Sequence, residues 1–257
     1  MNLISPNFNR YVIQKYWYFV LITILLSIFV SASSNPLYAV TLSVFFYMAL
    51  LLYSEKQYEH DAFTLFSTQN RWTYFDKDIS GSGIEVKGII FTIGEQQKIS
   101  NITRKENMVL CCLEYSTPIN SPNTEEETHY RTHHWTVLQA SLPAPCPHIV
   151  IDSKQDFFST QEEFIPDCEK IELEGDFHKY FQVWIQKDSG TESLTILSPD
   201  IMAQLIDYNR GYSIELVDNT AIFFVEGILH DPIKLKELCD RAALLTSKIS
   251  PRISRMN

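Results

Sequence analysis

Apolar and polar positions divide this chain into two regimes. From Tyr16 to Ser54 there is no Asp, Glu, Lys or Arg, and two apolar blocks, 17–30 and 37–53, flank Ser33-Ser34-Asn35-Pro36. Blocks of 14 and 17 residues, at or a turn short of the roughly 17-residue lower limit for crossing about 30 Å of hydrocarbon, predict a pair of membrane helices. Inside lipid the backbone must satisfy its own hydrogen bonds, which makes helix the expected form. Pro36 suits the first turn of the second helix, where its missing N–H costs nothing. Trp17, Tyr18 and Tyr53 stand at the block ends, where amphipathic rings favour the headgroup level.

Beyond residue 54 the pattern is that of a globular body. Residues 55–70 continue the second helix. Ser80-Gly81-Ser82-Gly83 marks a turn. Segments 84–93, 98–104, 108–115 and 129–142 are rich in strand formers separated by short polar breaks, which predicts an antiparallel meander. Pro143-Ala144-Pro145-Cys146-Pro147 is the expected division between two halves, because three prolines in five residues oppose both helix and central strand. Short strands follow at 148–152 and 170–173. Ser198-Pro199-Asp200 combines an N-cap, a first-turn proline and an acid that complements the helix dipole, predicting a helix to Tyr208 that buries Ile201, Met202, Leu205 and Ile206. Strands 212–217 and 221–229 are joined by the turn Asp218-Asn219-Thr220. A last helix opens at Asp231-Pro232; Leu235, Leu238, Ala242, Leu245 and Ile249 form one apolar stripe, and Pro251 is the expected stop.

The predicted fold class is α+β: an N-terminal two-helix transmembrane hairpin followed by an antiparallel-strand-rich soluble region with two or three helices. The expected organisation is an N-terminus at 1–15, the hairpin at 16–54, a juxtamembrane helix and linker at 55–79, a β-rich subdomain at 80–142, an α+β subdomain at 148–250 and a basic tail at 251–257.

Charge adds orientation. Arg10, Lys15 and Lys56 flank the apolar blocks, and the turn between them has no basic residue. The positive-inside rule then places both termini and the soluble domain in the cytoplasm of a two-span cell-membrane protein. A competing reading takes block one as a signal peptide, with Ser31-Ala32-Ser33 as its small-residue end. The net charge is -10, and all 31 acidic residues lie beyond residue 54. So acidic a body disfavours nucleic acid, whose phosphates need a basic surface. The five cysteines form no Cys-x-x-Cys and read as reduced, packed thiols.

Two groups of residues carry candidate chemistry. His129 and His133 share one strand face with Arg131 between them, a poor arrangement for convergent metal ligands. Glu172, Glu174 and Asp176 alternate with Ile171, Leu173 and Gly175, so three carboxylates line one expected strand face. Glu174, Asp176, His129 and His133 are therefore the metal candidates. No nucleophile elbow and no glycine-rich phosphate loop occurs, so no catalytic residue and no cofactor is assigned.

The segments Pro147-His148-Ile149-Val150-Ile151-Asp152-Ser153, Leu173-Glu174-Gly175-Asp176-Phe177 with Tyr180-Phe181, and Ile196-Leu197-Ser198-Pro199-Asp200-Ile201-Met202 resemble a pattern of uncharacterised bacterial membrane proteins. Those proteins have a transmembrane hairpin and a cytoplasmic α+β domain of unknown function. The likeness spans about residues 147–230 and implies no activity. The expected function is a membrane-anchored, non-enzymatic interaction or scaffold protein whose partners are the lipid bilayer and a protein or a second copy of itself. One alternative is a membrane-bound metal-dependent hydrolase using the acidic and histidine groups; another is an accessory subunit of a larger membrane complex.

Overall fold

The computed structural model describes residues 14–18, 21–22, 24–25, 28, 36–75, 82–119, 129–155, 165 and 167–256. Two compact units divide the chain, Met1–Thr64 and Leu65–Asn257.

In the first unit residues 14–18 are helical, and α1 (Pro36–Asn70) begins at the expected proline. Tyr16 meets Tyr53 edge to face, ring centroids 6.2 Å apart, and Lys15 is ion-paired with Asp61. Trp17 and Tyr18 are exposed, as is Lys56, while Arg10 lies outside the described residues. Among the described residues no helix is long and apolar enough to cross a membrane. That overturns the transmembrane hairpin, and with it the two-span membrane localisation and the charge-based orientation. The apolar block does not end as a span of its own. α1 runs unbroken through Glu55, Lys56, Glu59 and Asp61 to Asn70.

The expected fold class is corrected in the second unit as well. The body is one mostly antiparallel seven-stranded sheet carrying a few helices. Its strands are β1 (Thr73–Phe75), β2 (Glu95–Lys105), β3 (Met108–Ile119), β4 (His129–Ser153), β5 (Cys168–Ile171), β6 (Phe181–Gln186) and β7 (Ser213–Glu226). The order is β1-β2-β3-β4-β6-β5, with β7 also paired to β4. β4 is the spine. Its first half pairs with β3 from Ala140↔Met108 to His129↔Ile119. Its second half pairs with β6 from Ile149↔Ile185 to Ser153↔Phe181. β7 lies along the opposite edge of both halves.

The proline segment does not break β4. Instead the ladder slips there: Ser141 faces Thr220, Cys146 faces Asp218 and Ile149 faces Leu216, so β4 spends more residues than β7 over the same length. Bulged residues need no ladder donor, which is how strand and prolines coexist. Asp218, with φ 51, makes the matching irregularity on β7, so the turn expected at residues 218–220 is a kink within one strand. The kink also exchanges faces. Trp135 and Val137 before it, and Val150 after it, all join the cluster with Ile90, Trp184, Ile222 and Phe224.

One face of the sheet is covered by the 3₁₀ turn Ile89–Phe91, whose three side chains are buried in that cluster. α2 (Gly190–Ile196) and α3 (Pro199–Tyr208) each pack on α4 (Pro232–Met256), which lies along β4. The expected α4 stripe is real: Leu235, Leu238, Ala242, Leu245 and Ile249 are buried. Pro251 does not stop the helix. Ile253 is buried beyond it, and Arg252 Nη2 donates to both oxygens of Asp200 on α3, at 2.9 and 2.8 Å.

Thr136, fully buried on β4, ties down the chain leaving β7. Its Oγ1 donates to Gly227 O at 2.9 Å and accepts from Leu229 N–H at 2.9 Å. Thr136→Val keeps the volume and strands both partners, so urea unfolding should show a loss of about 2 kcal/mol. An unchanged midpoint would mean that solvent replaces the hydroxyl.

Candidate functional site

Two arrangements on the second unit have chemistry to offer. The first is an open groove of about 680 Å³ between α3 and the segment that follows β5. β5 ends at Ile171, earlier than the alternation suggested. The chain then turns at Glu174-Gly175-Asp176, with Gly175 at φ 71. The floor is Phe177 and Leu197, both buried, and Phe177 stacks on Phe181 at 4.9 Å. The walls are Leu173, Leu194, Met202 and Ile206. Leu194 is 51% exposed, and Met202 and Ile206 are only half-buried. A ten-residue amphipathic helix has one face for the core and a flank that need not be covered. Ile201 and Leu205 fill the first role, Met202 and Ile206 the second.

The rim is acidic. Glu172, Glu174 and Asp176 line it, and no Lys or Arg does. The Lys179 ammonium, 2.7 Å from Asp176, holds that carboxyl below the usual carboxylate range. Glu172 and Glu174 are exposed. The carboxylates proposed for one strand face are therefore turn residues at a groove mouth.

The histidines lie elsewhere. His133 is buried opposite Tyr115 on β3, stacked on that ring at 5.1 Å with Nε2 2.9 Å from Thr117 Oγ1. Burial, reinforced by Arg131, pushes its pKa down. His134 points away and lies 3.7 Å from Glu114. The His129 side chain falls outside the described residues. Among the described residues no three His, Cys, Asp or Glu side chains converge as a metal site.

The second arrangement was not legible in the spacing of the sequence. Fully buried Glu215 on β7 holds His148 on β4, with Oε1 2.6 Å from Nε2. Its Oε2 accepts the Ile89 N–H at 2.7 Å. The other ring nitrogen, Nδ1, lies 3.8 Å from Cys168 Sγ at the start of β5. Burial opposes a charge on His148, but hydrogen bonds to Cys168 and Glu215 override it and raise the pKa to about 9. The residues are 20 and 67 positions apart in sequence. Pairing β4 with β6, β6 with β5, and β4 with β7 brings them onto one face. The signal available was Glu215 between Ile214 and Leu216, a carboxylate inside an apolar strand.

No family model matches the chain, and no curated protein matches it. Its fold is similar to a solved structure, the mycobacterial trehalose monomycolate transport factor A, TtfA, with a TM-score of 0.51. The likeness covers 74% of this chain and 93% of that one at 9% identity, and at that identity it shows the fold alone.

Proposed function

We propose that this chain is a non-enzymatic interaction module that captures a basic amphipathic helix of a partner protein in the groove between α3 and the turn after β5. The observation that carries this reading is the pairing of an uncovered apolar wall, Leu194, Met202 and Ile206, with a rim whose charged residues are all acidic. Helix-in-groove recognition uses an apolar stripe for affinity and flanking charge for orientation. Glu172 and Glu174 call for Lys or Arg on the incoming helix. The similar solved chain is described as a transport factor. Carried to this chain, that description supports a factor that serves a transport system by binding rather than by turnover.

The test is titration of the full chain with a synthetic Leu/Lys amphipathic helix and with its Leu/Glu counterpart. The basic helix should bind, and salt should weaken it. Glu172→Lys with Glu174→Lys, a change confined to exposed residues, should cost at least about tenfold in affinity, equivalent to about 1.4 kcal/mol. Leu194→Glu should cost as much. Equal binding of the acidic helix, or no response to either change, would refute the docking role.

A further inference from the structure

The relay Ile89 N–H, Glu215, His148, Cys168 has no part in the groove. We propose that Cys168 is a reactive thiol, activated by His148, that undergoes exchange with low-molecular-weight disulfides and so forms a site of reversible covalent modification.

The geometry carries the assignment. A thiol becomes a nucleophile when a base takes its proton and the resulting charge is held nearby. His148 Nδ1 is 3.8 Å from Sγ, within reach of a weak sulfur hydrogen bond. The ring cannot swing away, because its opposite nitrogen is fixed at 2.6 Å by Glu215. Glu215 is itself fixed by the Ile89 N–H. Transfer of the Sγ proton to Nδ1 leaves a thiolate beside an imidazolium whose charge Glu215 offsets. Cys168 and His148 are both half-buried, with Cys168 packed against the apolar cluster, so the disulfide this site would take is a small one.

The other four thiols lack this setting. Burial pushes Cys111 and Cys239 up to about 12. Cys146 is also pushed up to about 12, by burial and then by Asp218, and its Sγ donates to Asp218 O at 3.1 Å. Cys112 is 2% exposed.

The step balances without a further reagent. The Cys168 sulfur attacks one sulfur of a disulfide RSSR, forming a Cys168–S–S–R bond as the original S–S bond breaks. The departing RS⁻ takes the proton from Nδ1 and leaves as RSH. Cys168 is oxidised, one sulfur of the reagent is reduced, and a second thiol reverses the reaction.

Peptide mapping after brief exposure of the folded chain to iodoacetamide, and separately to bis(2-hydroxyethyl) disulfide, tests the assignment. Cys168 should be modified first with both reagents, at least about tenfold faster than Cys146. His148→Gln should remove that advantage. Circular dichroism checks that the variant folds. If it does not, the wild-type order of modification decides: Cys168 must lead Cys146 by that margin with both reagents. Modification of Cys146 as fast as Cys168, or an unaltered rate in a folded His148→Gln, would overturn the proposal.

Discussion

His148→Gln should weaken the folded state by about 3 kcal/mol. The imidazole Nε2 lies 2.6 Å from Oε1 of Glu215, which is fully buried and whose other oxygen accepts the Ile89 N–H. Removing one partner of a buried pair leaves the carboxylate without the group that offsets it, which costs about 3–5 kcal/mol; the glutamine amide can still donate one hydrogen bond, which keeps the loss at the lower end. Urea unfolding at pH 7, followed by near-ultraviolet circular dichroism, reads the effect. A His148→Gln midpoint equal to that of wild type would show that Glu215 does not depend on His148 in the folded state.

Gly88→Ala should be more damaging, at about 4 kcal/mol and roughly 10 °C in melting temperature. Gly88 precedes the Ile89–Phe91 turn with φ 88 and ψ 163, a region that essentially only glycine occupies. Leaving it costs about 1–3 kcal/mol. A Cβ there would lie 2.5 Å from Ile222 Cδ1 and 2.6 Å from Glu215 Oε2. Both neighbours are fully buried, so neither has room to yield, and overpacking adds about 1–3 kcal/mol. The change also pushes on the carboxylate that holds His148. Gly190→Ala is the control. Nothing lies within 4 Å of a Cβ there, and thermal melting should leave it near wild type. A Gly88→Ala protein that melts with wild type would mean the turn can move off β7.

What the sequence disclosed followed from local rules. The stripe from Leu235 to Ile249 has one spacing and one outcome, and Ser198-Pro199-Asp200 starts α3 where its chemistry says. Proline rules misled twice, because a long element can absorb the residue. β4 bulges through Pro143, Pro145 and Pro147, and α4 is pinned beyond Pro251 by Ile253 and Arg252. The charge-free run from Tyr16 to Ser54 suggested a bilayer, but charge-free sequence alone does not separate a membrane span from the start of a longer helix that turns polar. Glu174 and Asp176 were read as a strand face because alternation carries no mark of where a strand stops. The groove was half visible: Met202 and Ile206 were recognised as apolar, but only the packing of α3 shows them uncovered. The triad of Cys168, His148 and Glu215 had no linear signature at all, since it is assembled by the pairing of four strands.

β4 occupies a position with a cost during folding. It joins β3 early, through a connection of nine residues, but its opposite edge waits for β7, which follows some sixty residues later. Until then a row of unpaired amides and carbonyls is offered to any passing strand. Newly made chains should thus be most prone to clumping in the interval before β7 arrives, and slow translation between residues 153 and 213 would lengthen that hazard.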